Sequence, residues 1–152
     1  MPKPQPKPAT TLVFPPLYIA LAVATVVLSL ESPYRPRATE TGPYDYGSVW
    51  TISGRVTGAT SLSAMAILFL VSLAGVAAFA HRSRHAAAPV PVILAGLLFA
   101  ALLPAHPGIV SDDPPLTTPG RYLVAVACAS IAVAAVHIAV LRRSPRPARS
   151  SP

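Results

Sequence analysis

Residues 57–85 read TGATSLSAMAILFLVSLAGVAAFAHRSRH. From Leu62 to Ala80, nineteen residues pass without a charged side chain, Asn, Gln or Pro. That is close to the roughly 20 residues an α-helix needs to cross a bilayer core about 30 Å thick. The run then stops at HRSRH, two arginines between two histidines. A soluble core helix rarely needs so long a stretch without polar side chains, so the segment predicts a membrane-spanning helix with a basic end.

Three further runs repeat the pattern. Leu12 to Leu30 is apolar for nineteen residues, with Pro15 and Pro16 near its start, where a missing amide donor costs least. A basic stretch precedes it, as in a signal peptide, but the run exceeds the usual 7 to 15 residue apolar region. No A-x-A-like site follows Ser29, so a spanning helix is the expectation. Ala86 to Ala105 and Tyr122 to Leu141 each give twenty residues. The predicted architecture is an all-α, four-helix up-down membrane bundle over residues 12–141, with helices near 12–30, 58–80, 86–105 and 121–141. A Pro/Lys-rich tail (1–11) and a basic Pro/Ser-rich tail (142–152) flank it.

Composition agrees. The chain is 53% hydrophobic and 11% charged, with a mean hydropathy of +0.56, against roughly 25% charged residues in soluble domains. The net charge of +7 sits at the ends of apolar runs rather than on an aromatic-interleaved face, which speaks against nucleic acid as a partner. Arg outnumbers Lys ten to two and Ala, Val and Pro abound, a balance that suits a GC-rich bacterial genome. The lone Cys128 excludes an intramolecular disulfide and a cysteine-based metal site.

Orientation follows from the excess of Lys and Arg on cytoplasmic loops. With both termini inside, Lys3, Lys7, Arg82, Arg84, Arg142, Arg143, Arg146 and Arg149 are cytoplasmic. Arg35, Arg37, Arg55 and Arg121 are outside, eight against four. Arg82, Arg84, Arg142 and Arg143 are expected to meet anionic lipid head groups at the inner face. The longest connection, Glu31 to Val56, is rich in Pro, Gly, Ser and Thr and predicts no stable buried element. Its Tyr34, Tyr44, Tyr46 and Trp50 are expected at head-group level, with Tyr44, Tyr46 and Trp50 as candidate partner-binding residues.

Few residues offer chemistry. His137 is the only side chain within the four runs that titrates near neutral pH, which makes it the candidate functional residue. The plainer expectation is a neutral imidazole hydrogen-bonded to a carbonyl or a hydroxyl, because no run contains an acid to partner it. His81 and His85 stand four apart, as two metal ligands on one helix face would. Arg82 and Arg84 between them repel a cation, so a basic cap is the better reading. His106, Asp112 and Asp113 share a connection, but Pro114 and Pro115 follow the acids directly and no EF-hand-like alternation is present. The serines Ser61, Ser63, Ser72 and Ser130 have no acid and base partners in helical register, so hydrolase chemistry is unsupported. Small residues in pairs, Ala64 with Ser72, Gly96 with Ala100, Ala135 with Ala139, and Gly54 with Gly58, allow close helix packing.

The expectation is therefore a non-enzymatic structural or accessory membrane subunit, in the cell membrane, without cofactor, packing against other membrane proteins or itself. The alternative is a small oligomeric transport or permeation protein with His137 and hydroxyls on a shared path.

Overall fold

A computed structural model describes residues 13–40, 42–56, 59–80, 87–105 and 114–143. It is mostly helical. Helix α1 spans Phe14–Ser29, a hairpin pairs β1 (Arg37–Thr39) with β2 (Gly42–Tyr44), and the single turn α2 covers Ile52–Arg55. Helices α3 (Thr60–Phe79), α4 (Val90–Ala105) and α5 (Thr118–Arg143) follow. By length and composition α3 and α5, of 20 and 26 residues, are long and apolar enough to cross a membrane, while α1 and α4 are apolar helices of 16 residues.

Proline sets several helix starts. Pro15 and Pro16 occupy the first turn of α1, where no amide is needed. Pro89 precedes α4 and Pro91 lies in its first turn. The α5 helix begins at Thr118, before the expected position, because Pro119 at its second residue supplies a preset helical φ. The HRSRH segment with His81, Arg82, Arg84 and His85, the His106, Asp112 and Asp113 connection, Gly58 and both tails lie outside the described residues.

The long helices form a ring, with α1 on α3 and α5, and α4 on α3 and α5. Each buries a stripe at spacings of three and four, such as Leu62, Ala66, Phe69, Leu73 and Val76 on α3, or Leu123, Ala127, Ser130, Ala134 and His137 on α5. Phe69 and Phe99 stack across the centre with ring centroids 5.5 Å apart. Gly96 lets α4 come close to both its neighbours: a Cβ there would sit 3.0 Å from Ile131 and 3.4 Å from Phe69.

The connection after α1 corrects the reading of residues 31–56 as lacking a buried element. Tyr34, Tyr46, Val49 and Ile52 are each at most 2% exposed and close one end of the bundle. Tyr34 packs edge-on to Tyr46 at 5.7 Å, and Tyr46 edge-on to Tyr44 at 5.3 Å. The segment also clasps the stretch before α5. Tyr34 and Leu116 form an isolated antiparallel bridge, Arg35 N donates to the Pro115 carbonyl, and Thr117 N donates to the Pro33 carbonyl at 2.9 Å.

Gly120 sits directly against this clasp. A Cβ at Gly120 would overlap the Pro33 carbonyl oxygen, whereas one at Gly75 would meet nothing within 4 Å. Gly120→Ala is expected to destabilise the protein by about 1–3 kcal/mol through overpacking against backbone that cannot yield. Gly75→Ala should leave stability unchanged or raise it by up to about 1 kcal/mol through helix propensity. Thermal unfolding of the two variants in detergent checks the pair, and equal melting temperatures would refute this account of the clasp.

Candidate functional site

Among the described residues, buried polar side chains bond across the bundle near each of its two ends. The first is built from α1 and α5. His137 is 2% exposed, Phe14 stacks on its imidazole with centroids 4.1 Å apart and planes 10° from parallel, and the Tyr18 hydroxyl lies 3.2 Å from Nδ1. The expected hydroxyl partner is thus present, supplied by the only tyrosine of the first apolar run. Tyr18 was not singled out by the sequence; the one signal that could have found it is that an apolar helix has few ways to satisfy a ring nitrogen, and a tyrosine at helix depth is one of them. Phe14, followed by two prolines at the start of α1, carried no comparable signal.

In this arrangement the ring is buried and hydrogen-bonded. With the hydroxyl as donor, Nδ1 accepts and the proton sits on Nε2. Four other helix hydroxyls are occupied locally. Thr25, Ser72 and Ser130 each donate to the carbonyl four residues back, at 2.8 Å, and Ser29 donates to Val26 at 2.7 Å. Such back-bonding satisfies the hydroxyl within its own helix. None of these groups faces another in a geometry that would activate a nucleophile or relay a proton. Among the described residues, no three His, Cys, Asp or Glu side chains gather to hold a metal.

The second place is the cap. Tyr34 Oη donates to the Leu103 carbonyl at 2.7 Å, near the C-terminus of α4. The Trp50 indole N–H donates to Ser29 Oγ at 2.8 Å, Val49 N donates to the Ser29 carbonyl, and Ser63 Oγ donates to the Val49 carbonyl at 2.6 Å. The cap is thereby stapled to the end of α1, the start of α3 and the end of α4. Burial pushes the Tyr34 hydroxyl well above its ordinary pKa range. The charged rim adds little: Arg55 lies 3.5 Å from Asp45, with both side chains about half exposed.

These contacts redistribute the three residues expected to face a partner. Tyr46 is 2% exposed and belongs to the cap's interior, because its ring is enclosed by Tyr34 and Tyr44. Trp50 is half-buried with its N–H already used. Tyr44 is 39% exposed, its hydroxyl donating to the Arg55 carbonyl at 2.7 Å. At the opposite end, Arg142 and Arg143 close α5 with exposed side chains. Against protein-family models, curated proteins and solved structures, the chain finds no match.

Two outcomes follow from the two ends. Tyr18→Phe leaves a buried ring nitrogen without a partner, and His137→Phe leaves a buried hydroxyl without one. Each is expected to cost about 1–3 kcal/mol, whereas the double variant removes both polar groups and should cost much less than the sum. Strictly additive losses in detergent unfolding would mean that the pair does not interact. At the cap, Tyr34→Phe should lose about 1–2 kcal/mol near pH 8. Because the folded hydroxyl ionises at higher pH than the unfolded one, its contribution is complete below about pH 10 and falls as pH rises above that. Melting curves from about pH 8 to about pH 11 should therefore fall more steeply for the wild type than for Tyr34→Phe.

Proposed function

We propose that this chain is a four-span integral membrane protein acting as a non-enzymatic structural or accessory subunit. In this reading α1, α3, α4 and α5 cross the bilayer up-down-up-down, both termini are cytoplasmic, and the tyrosine cap is on the outer side. The observation that carries it is the inverted polarity of the bundle. All four long helices turn large apolar side chains outward, as in Val23, Ile67, Leu94 and Val136 at 53–58% exposure. The buried polar side chains Thr25, Ser29, Ser130 and His137 point inward. In water that surface would be a continuous aggregation-prone patch, while in lipid it matches its solvent.

The 16-residue helices reach about 24 Å at 1.5 Å per residue, short of a full bilayer core. Val13 and Leu30, 56% and 64% exposed, extend the apolar surface of α1 at both ends. Local thinning of the bilayer absorbs the rest at small cost. The eight-to-four distribution of Lys and Arg supports the inside placement of both termini.

An accessory role rests on what the surface offers. Ala64, Ala135 and Ala139 face outward, and small residues let a second helix approach closely where lipid competes on equal terms with apolar side chains. A permeation path finds no support in the same geometry: the stacked Phe69 and Phe99 fill the centre, and His137 and Ser130 are enclosed within the protomer rather than available between protomers.

The test joins topology with association. A fluorescent protein that matures only in the cytoplasm, fused to the C-terminus, is expected to fluoresce, and mild-detergent purification followed by mass analysis is expected to show a co-purifying membrane protein or a second copy. A dark fusion would refute the orientation, and a clean monomer the accessory role.

A further inference from the structure

The seam between α1 and α5 differs in its two halves. Toward the cytoplasmic end Phe14, Tyr18 and His137 fill it. Toward the cap it opens into an apolar groove of about 850 Å³, lined by Ala20, Ala24 and Val27 of α1 and by Tyr122, Ala125 and Ala129 of α5 among others. From Ala20 to Leu28 the groove runs about 12 Å at 1.5 Å per residue, comparable to the hydrocarbon depth of one leaflet, half of about 30 Å. A spanning helix from a partner or a second copy would need contact along the whole bilayer depth, and the filled half denies it an equivalent groove there. A single acyl chain needs only the half that is open.

Two opposite charges lie one helical turn beyond lining residues of the groove, at its cap end. Glu31 follows the last turn of α1, one helical turn beyond Val27, and Arg121 lies in the first turn of α5, one turn before Ala125. Both side chains are exposed, and neither takes part in an ion pair among the described residues. Tyr122, 58% exposed, stands at the rim, at the level where amphipathic rings meet head groups.

We propose that this groove holds one ethanolamine phospholipid of the outer leaflet, with an acyl chain against the four alanines, its phosphate on Arg121 and its ammonium on Glu31. The inference rests on the membrane reading above. Charge decides the head group: phosphate pairs with guanidinium, and a primary ammonium donates hydrogen bonds to a carboxylate as choline does not. A head group with net negative charge would satisfy Arg121 but face Glu31 without compensation.

The experiment uses the full chain purified in mild detergent and supplied with equal amounts of ethanolamine, choline and glycerol phospholipids, read by native mass spectrometry. One retained ethanolamine lipid per chain is expected. Filling the groove with Ala24→Phe and Ala129→Phe should lower retention about tenfold. Arg121→Gln or Glu31→Gln, at exposed positions that leave the melting temperature unchanged, should abolish the preference among the three lipids. No retained lipid, equal retention of all three, or a preference indifferent to the two charge variants overturns the proposal. Alkaline carbonate extraction separates this from the parent reading: a chain that stays with the membrane pellet but retains no lipid refutes the lipid site alone, and a chain released to the supernatant refutes both.

Discussion

Leu103 lies in the last turn of α4, and the residue four positions on, Pro107, has no N–H to offer its carbonyl. The Tyr34 hydroxyl takes that place at 2.7 Å. To deliver it, residues 31–35 must cross the end of the bundle. That crossing draws in the bridge to Leu116, the Thr117 hydroxyl donating to the Ser32 carbonyl at 2.7 Å, and the close approach at Gly120. A carbonyl in the last turn of α4 that takes its donor from Tyr34 thus ties the Pro-rich connection to the bundle. The cost of leaving it unpaired, about 1–3 kcal/mol, is comparable to any single packing term in the bundle.

Inside the ring, hydrophobicity does not tell core from surface. Exposed Leu97 and Leu98 are as apolar as buried Leu103 on the same helix. What distinguishes the interior is size and shape. Gly96 and Ala95 of α4 and Ala127 and Ala134 of α5 line the contacts, leaving room for the stacked Phe69 and Phe99. That is the packing logic the membrane reading calls for, since between lipid-facing helices close contact rather than water supplies the attraction.

This difference explains what the amino-acid sequence made legible. The apolar runs and their charged ends are compositional, so the helices and the basic close of α5 at Arg142 and Arg143 could be read directly. His137 stood out because a polar ring inside an apolar run needs a partner, although the partner, Tyr18, lies 119 residues away and no local pattern links them. The cap was misread for a related reason. Pro, Gly and Ser content reports on backbone preference, while the order of residues 31–56 comes from tyrosine and tryptophan donors reaching distant acceptors. Tyr46 could not be told from Tyr44 by type or spacing, yet one lies inside and the other at the surface.

The position of α1 shows how these contacts work together. Its N-terminal end is fixed by Phe14 and Tyr18 against His137, and its C-terminal end by Ser29, whose carbonyl and hydroxyl accept from Val49 and Trp50. Between them, on the side facing α5, are alanines that fill little space. A helix anchored at both ends by directional hydrogen bonds can leave its middle loosely packed without losing register, because register is set by the anchors. Had the seam been closed by larger side chains throughout, dispersion would hold it and neither anchor would be needed. The buried polar pair and the open groove are thus linked: the first fixes the helix in place, which permits the second.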